Sequence, residues 1–486
     1  MSIMSSYARA LAVQNGRAQP VATVRHLHLS ATPMVFIPLK LAGEAAAPLA
    51  ALVGTDPANP RLLVVPQPRN RDLRFAFMAE LAEVLLPYIE GLAGVTETVE
   101  AKTPYERCAD APQLLVPNRG GIAFTKLLGR STRFRRTDGP YPVHPSVPVL
   151  GQWLTFLSER AEYAGSSALV SMTDALALHW ATGQSSMEDA NLATQLAWIA
   201  PPEGLDGPEA ALVAEDPLTS PPAGPETHPD FDGQVLEYAI QAFETSGSAA
   251  QVREALRSQL EPTWTLMWQG VRLLRELPEA ATVEARWARD RDQFTRETAR
   301  LAEGGFPRGR VDGAVSAAIR LADLESALQA YEAQRAFDDP LVMIEHRVAG
   351  KAFSGEVVAV DATRRIVPAG KTRAAPRPLV TIRTSDPVRL SPGRRLVSSR
   401  NRKQRTEIVD ITGDLVVIQV NDQMGRGATP APGSVPEVGD VVCYAELDPS
   451  GGQRPRLPAG EDTPWTHGGP PEPYVPTDED AQEAWS

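Results

Sequence analysis

The spacing of apolar residues changes period three times along the chain. Val24 to Leu29 (VRHLHL) alternates like a half-buried strand, and Arg61 to Val65 (RLLVV) is a short apolar run closed by Pro66. Phe77, Leu81, Val84, Leu85 and Tyr88 recur at helical spacing, which predicts an amphipathic helix over about Asp72 to Glu90. Val95 to Lys102 and Gln113 to Val116 read as further strands. Three helices then follow, marked by Trp153, Phe156 and Leu157, by Leu169, Met172, Leu176 and Trp180, and by Leu192, Leu196 and Ile199. Residues 1–200 therefore form an α/β region that ends in helices.

Pro201 to Asp230 holds eight Pro and seven Asp/Glu with no Lys or Arg. That composition predicts an acidic linker without helix or central strand. Residues 231–339 return to helical spacing. Leu256, Leu260, Met267, Val271 and Leu274 share a face, Trp287, Phe294 and Leu301 are spaced by seven, and Leu321, Leu324, Leu328 and Tyr331 follow a 3-4-3 seam. Gly304, Gly305 and Pro307 interrupt the run, so a stalk or small antiparallel bundle is expected. After Asp338-Asp339-Pro340 the period becomes two. EVVAVD, LVTIRT, RRLVS, TEIVDI, LVVIQV and VVCYAEL, between Glu356 and Leu447, are six short strands broken by Gly, Pro, Asp and Asn. Residues 340–450 read as a small closed barrel of the OB or SH3-like kind. Residues 451–486 end in Glu461 to Ser486, with seven Asp/Glu, five Pro and no Lys or Arg, and read as a disordered acidic tail. The fold class expected is a multi-domain α+β chain: an N-terminal α/β region, a central helical stalk or bundle, and a C-terminal β-barrel.

Composition adds compartment and charge. The chain has 486 residues, with 48 Lys+Arg against 60 Asp+Glu, a net charge of −12. Its two cysteines, Cys108 and Cys443, exclude a disulfide framework and suit a reducing cytoplasm. The most apolar early stretch, Met34 to Gly54, is interrupted by Pro38, Lys40, Glu44 and Pro48, so no membrane span is expected. The Ala/Arg/Pro-rich composition fits a bacterial source.

The charge is distributed unevenly. Arg364 to Arg405 holds thirteen Lys/Arg, and its one acid is Asp386, which makes +12 in that segment. Such density over barrel strands suits phosphate neutralisation, and Arg383, Arg394, Arg395, Arg400, Arg402, Lys403 and Arg405 are the expected nucleic-acid contacts. No Phe, Tyr or Trp lies in this segment, so base stacking is not expected there. A second basic cluster runs from Arg119 to Arg136 and holds Arg119, Lys126, Arg130, Arg133, Arg135 and Arg136 with no acid, and Phe124 and Phe134 lie among them. The alternative for the first is a solvated face, or a patch that binds the acidic tail or another acidic protein; for the second it is a loop or helix that packs its arginines on the acidic linker.

Catalytic signals are sparse. Gly370-Lys371-Thr372 imitates the end of a phosphate-binding loop, but the Gly that such a loop needs is Arg365 here. Glu90, Glu100 and Lys102 loosely imitate the acids and lysine of a metal-dependent nuclease. His26 and His28 share one face of the expected strand without a third ligand nearby. No resident metal or cofactor is expected.

The stalk-like seam Leu321 to Tyr331, followed by SGEVVAVD (Ser354 to Asp361), EIVDITGDLVVIQV (Glu407 to Val420) and PEVGDVVCY (Pro436 to Tyr444), resembles the accessory region of Upf1-like superfamily 1 helicases. There, paired helices carry a β-barrel beside the nucleic-acid channel. The resemblance implies DNA or RNA as partner, with a helicase or other motor supplied by another chain. The leading expectation is a non-enzymatic nucleic-acid-binding accessory protein in a bacterial DNA-processing or defence module. The alternatives are a divergent metal-dependent nuclease and a protein-interaction scaffold.

Overall fold

The computed structural model describes residues 3–217, 220–309, 313–367, 370, 372–425, 427, 429–451 and 475. It divides into two compact units, one of Ser5–Leu324 and one beginning at Glu325.

The first unit is built on a five-stranded mixed sheet. β1 (Met34–Lys40), β2 (Pro48–Gly54) and β3 (Arg61–Val64) form an antiparallel meander. α1 (Arg71–Ala93) then crosses to β4 (Leu114–Val116), which pairs parallel with β1. α2 (Arg119–Thr132) and α3 (Ser146–Ala161) lead to β5 (Leu169–Ser171), parallel to β4. The strand order is β3-β2-β1-β4-β5. β1 is apolar on both faces because both are covered. Val35, Ile37 and Leu39 enter one core, while Met34 and Phe36 enter the other.

Pro38 sits in this central strand without harm. The N–H groups of Met34 and Lys40 point away from β2, towards the Gln113 and Pro225 carbonyls. The N–H that Pro38 lacks would point the same way, and β4 pairs with β1 only at Met34 and Val35.

Helices complete the two outer layers. α4 (Met172–Ala177), α5 (Leu192–Ile199), α6 (Gly207–Ala214), α7 (Glu237–Ser246) and α8 (Ala250–Glu276) follow β5. α8 packs on the Val35 face through Leu256, Leu260, Met267, Val271 and Leu274. α9 (Val283–Ala302) reaches the opposite face through Trp287 and Phe294. The helices after residue 231 therefore include the two outer layers of the α/β sandwich. α10 (Ala314–Asp338) runs from this unit into the second.

Three local expectations are corrected. Val24 to Leu29 forms no ladder beyond one bridge, Arg25 with Glu279. Side chains satisfy its backbone instead: the His26 N–H donates to His179 Nε2 and the His28 N–H to Ser167 Oγ, each at 3.0 Å. The helix expected from Leu169 to Trp180 begins as β5, because the Ser171 hydroxyl caps α4 by accepting from the Asp174 N–H.

The acidic segment 201–230 is not structureless either. Asp206 and Glu209 form a reciprocal capping box that starts α6, and Pro208 sits in the first turn, where its missing N–H costs nothing. Further on, the segment seats across the end of β1 and the start of α2. Lys40 N–H donates to the Pro225 carbonyl at 2.7 Å, Asn118 Nδ2 donates to the Gly224 carbonyl at 2.8 Å, and Lys40 Nζ pairs with Glu226 at 2.5 Å. Gly120 is required beneath it, since a Cβ there would lie 2.6 Å from Pro225 Cδ.

In the second unit, α11 (Pro340–Val348) precedes β6 (Ala352–Asp361), β7 (Leu379–Arg383), β8 (Arg395–Ser398), β9 (Arg405–Thr412), β10 (Leu415–Val420) and β11 (Val441–Ala445). These six close into an antiparallel barrel of order β6-β7-β10-β9-β8-β11. All six strands expected from the period of two are present. Phe353, Val357, Ile382, Leu396, Ile408, Ile418 and Tyr444 fill the interior. Register shifts at Val357/Ala359 and Ile408/Asp410 bend β6 and β9 round the corners. Among the described residues, no helix is long and apolar enough to cross a membrane.

Candidate nucleic-acid interface

The alternation that buries Leu396 and Ile408 turns Arg395, Val397, Arg405 and Glu407 outward. Arg395 stands opposite Glu407 and Val397 opposite Arg405, so the two arginines are diagonal neighbours, about 7–8 Å apart by strand geometry. Lys403 is exposed in the connection between the strands. The side chains of Arg395, Lys403 and Arg405 engage no ion pair among the described residues, although the Arg405 backbone N–H donates to the Asp422 carboxylate at 2.7 Å. Closing the barrel brings acids beside Arg383, Arg394, Arg400 and Arg402. Residues 340–451 hold sixteen Lys/Arg against twelve Asp/Glu, a net charge of +4.

Four of the expected contacts are tied down. Arg400 pairs with Asp440 at 2.7 Å and also donates to the Val441 carbonyl. The hydrogen bond from Arg400, with another from the Glu437 N–H, holds the Asp440 carboxyl below its ordinary range. Arg402 pairs with the fully buried Asp338 at 2.8 Å, donates to the Phe337 carbonyl and lies 5.7 Å from the Phe337 ring. Arg394 pairs with Glu446 at 3.2 Å, and Arg383 pairs with Asp414 at 3.5 Å. Asp386, the lone acid of the basic segment, anchors α11. It accepts both Arg347 nitrogens, at 2.7 and 3.0 Å, and the Ser354 N–H at 2.7 Å. Burial pushes its carboxyl up, but these donors outweigh that and hold it below the usual range.

The second basic cluster diverges. Arg130 is exposed at the end of α2. Arg133 is buried and donates to the Arg308 and Gly309 carbonyls at 2.8 and 3.4 Å. Arg135 donates to the Ser131 carbonyl and lies over the Phe75 ring, and Arg136 pairs with Asp138 at 3.3 Å. Arg130 and Arg133 thus share a surface that Arg135 and Arg136 leave.

The nuclease candidates do not gather further acids. Glu90 is exposed on α1, while Glu100 and Lys102 are exposed in the connection between the strands Thr96–Val99 and Tyr105–Cys108. Among the described residues, no group of three or more His, Cys, Asp and Glu could hold a metal ion. His26 stacks on His179 at 5.8 Å and His28 on Trp287 at 4.3 Å, so both imidazoles serve as packing. Burial pushes the His28 imidazole below its ordinary value, against the pull of Glu279. Lys371 of Gly370-Lys371-Thr372 and, residue 475 apart, the tail Glu461 to Ser486 lie outside the described residues.

Sequence reasoning missed the cations that meet Arg130 in space, Arg160, Arg308 and Arg320 among them. They sit on three other segments, and nothing in their local sequence marks them. Compared with known proteins, the chain matches no family model, no curated protein and no solved structure.

Proposed function

We propose that the barrel binds the sugar-phosphate backbone of DNA or RNA with little sequence preference, and that the chain is a nucleic-acid-binding accessory protein. The reading rests on one observation: the side chains of Arg395, Lys403 and Arg405 are exposed along the β8–β9 hairpin and make no ion pair among the described residues. Cations left free by the fold are available to phosphate, whereas Arg400 and Arg402 would first have to break their pairs. Six short antiparallel strands in a closed barrel suit the OB or SH3-like reading, a class that presents such surfaces. The resemblance to helicase accessory regions fits the same role, with a motor or nuclease supplied by another chain.

The test is fluorescence anisotropy of labelled duplex and single-stranded oligonucleotides against the full chain across a salt titration. Three phosphate contacts on duplex DNA give a log–log slope of about −2.7, hence roughly a 40-fold loss between 50 and 200 mM salt. Reversing all three charges (Arg395→Glu, Lys403→Glu, Arg405→Glu) is expected to flatten that slope. Undetectable binding at about 50 mM salt, where phosphate contacts are strong, refutes the proposal.

A further inference from the structure

We infer that the α/β unit carries a second anion site, a pocket for a phosphate ester bearing an aromatic base, between α2, α3, α9 and the start of α10. The cavity encloses about 650 Å³, within the range of pockets that take small organic ligands. It lies wholly in the Ser5–Leu324 unit and does not rest on the barrel reading.

Six cationic side chains line it: Lys126, Arg130, Arg133, Arg160, Arg308 and Arg320. Glu159 and Asp323 line it too, and further carboxylates pair with the cations. Glu162 serves both Lys126 and Arg320, at 2.7 and 2.6 Å. Arg308 pairs with Glu159, and it shares Glu297 with Arg300, each at 2.7 Å from Glu297. Arg160 is held by Asp290 at 2.9 Å. Arg130 has no acidic partner among the described residues and stands on the exposed rim. The wall is therefore a mixed array of guanidinium and carboxylate groups, with Arg130 as the cation without an acidic partner at its mouth. Arg130 is the guanidinium here that need break no ion pair to take a phosphate, whose oxygens its forked donors match.

The apolar part of the wall suits a base. Tyr163 lines the cavity with the Arg160 guanidinium 4.5 Å from its ring, and Phe156 lies beneath Arg308 at 5.6 Å. An aromatic base can stack on Tyr163 while its phosphate meets Arg130. The ligand class is a phosphorylated nucleotide, either free or at the end of a strand.

Equilibrium binding to the full chain separates the two sources, with three probes: adenosine 5′-monophosphate, a 5′-phosphorylated oligonucleotide, and the same oligonucleotide with a 5′-hydroxyl. Free-nucleotide recognition gives saturable binding of the monophosphate, competed by inorganic phosphate. Strand-end recognition gives a preference for the phosphorylated oligonucleotide over its hydroxyl counterpart. In either case Arg130→Glu is expected to weaken binding at least tenfold, and Tyr163→Ala to weaken it independently. The side chain of Arg130 is exposed, so its variant keeps the fold, which unchanged thermal unfolding would check. The barrel triple variant leaves this binding intact, which keeps failure here distinct from failure of the barrel proposal. Absence of monophosphate binding together with equal binding of the two oligonucleotides, or binding of any probe indifferent to both Arg130→Glu and Tyr163→Ala, overturns the inference.

Discussion

Removing the Asp290 carboxylate is expected to cost the α/β unit a large part of its stability. Asp290 is 2% exposed on α9, and four donors converge on it. Arg160 gives Nη2 at 2.9 Å and Nε at 3.3 Å, Ser166 its hydroxyl at 2.8 Å, and Ser167 its backbone N–H at 2.8 Å. The carboxylate thus ties α9 to α3 and to the segment entering β5. Asp290→Ala leaves Arg160 half-sequestered without its counter-charge and the Ser167 N–H without an acceptor. Breaking a buried pair from one side costs about 3–5 kcal/mol, against total stabilities of about 5–15 kcal/mol. With a urea slope near 3 kcal/mol/M, the midpoint falls by roughly 1–1.7 M. Tryptophan fluorescence is the right probe, because Trp153, Trp180, Trp198, Trp264, Trp268 and Trp287 all lie in this unit and none lies in residues 325–451. Replacing the whole pair (Arg160→Met with Asp290→Leu) is expected to recover much of the loss, since no lone charge remains buried. A midpoint shift below about 0.3 M for Asp290→Ala, under 1 kcal/mol by the same slope, refutes the reasoning.

Two other outcomes follow from local geometry. Gly355 lies where a Cβ would come 2.1 Å from the Arg383 carbonyl oxygen, so Gly355→Ala is expected to cost the barrel about 1–3 kcal/mol. Circular dichroism should show the barrel melting earlier while tryptophan fluorescence of the α/β unit is unchanged. Burial pushes the Tyr88 and Tyr444 phenols up to about 12 each, so absorbance at 295 nm should show two of the nine tyrosines ionising late. Both values are raised by folding, so the stability linked to them is complete below pH of about 10 and lost as pH rises through about 12. Ionisation of all tyrosines together near pH 10 would contradict this.

The barrel was legible in the sequence because each of its strands has one face in the core and one in water. Phe353, Leu396 and Ile408 had to alternate with polar neighbours, and that period can be read without coordinates. The central strands β1 and β2 were not legible. Covered on both faces, they carry no alternation, and Pro38 is tolerated in β1 only because β4 pairs with it no further than Val35. The capping box of α6 was present in the letters, yet the number of prolines around it obscured it. Charge shows the division most clearly. Composition determined that Arg364 to Arg405 carries +12, but it could not say which cations remain free. Strand closure set Asp440 against Arg400 and Glu446 against Arg394, and it left Arg395, Lys403 and Arg405 without such partners. In the same way Arg130, Arg160, Arg308 and Arg320 are distant in the chain and meet only because helices pack on a common layer. Periodicity is a local property, fixed by which neighbours face the core. Electrostatic pairing depends on distances across the fold, and only tertiary structure sets those.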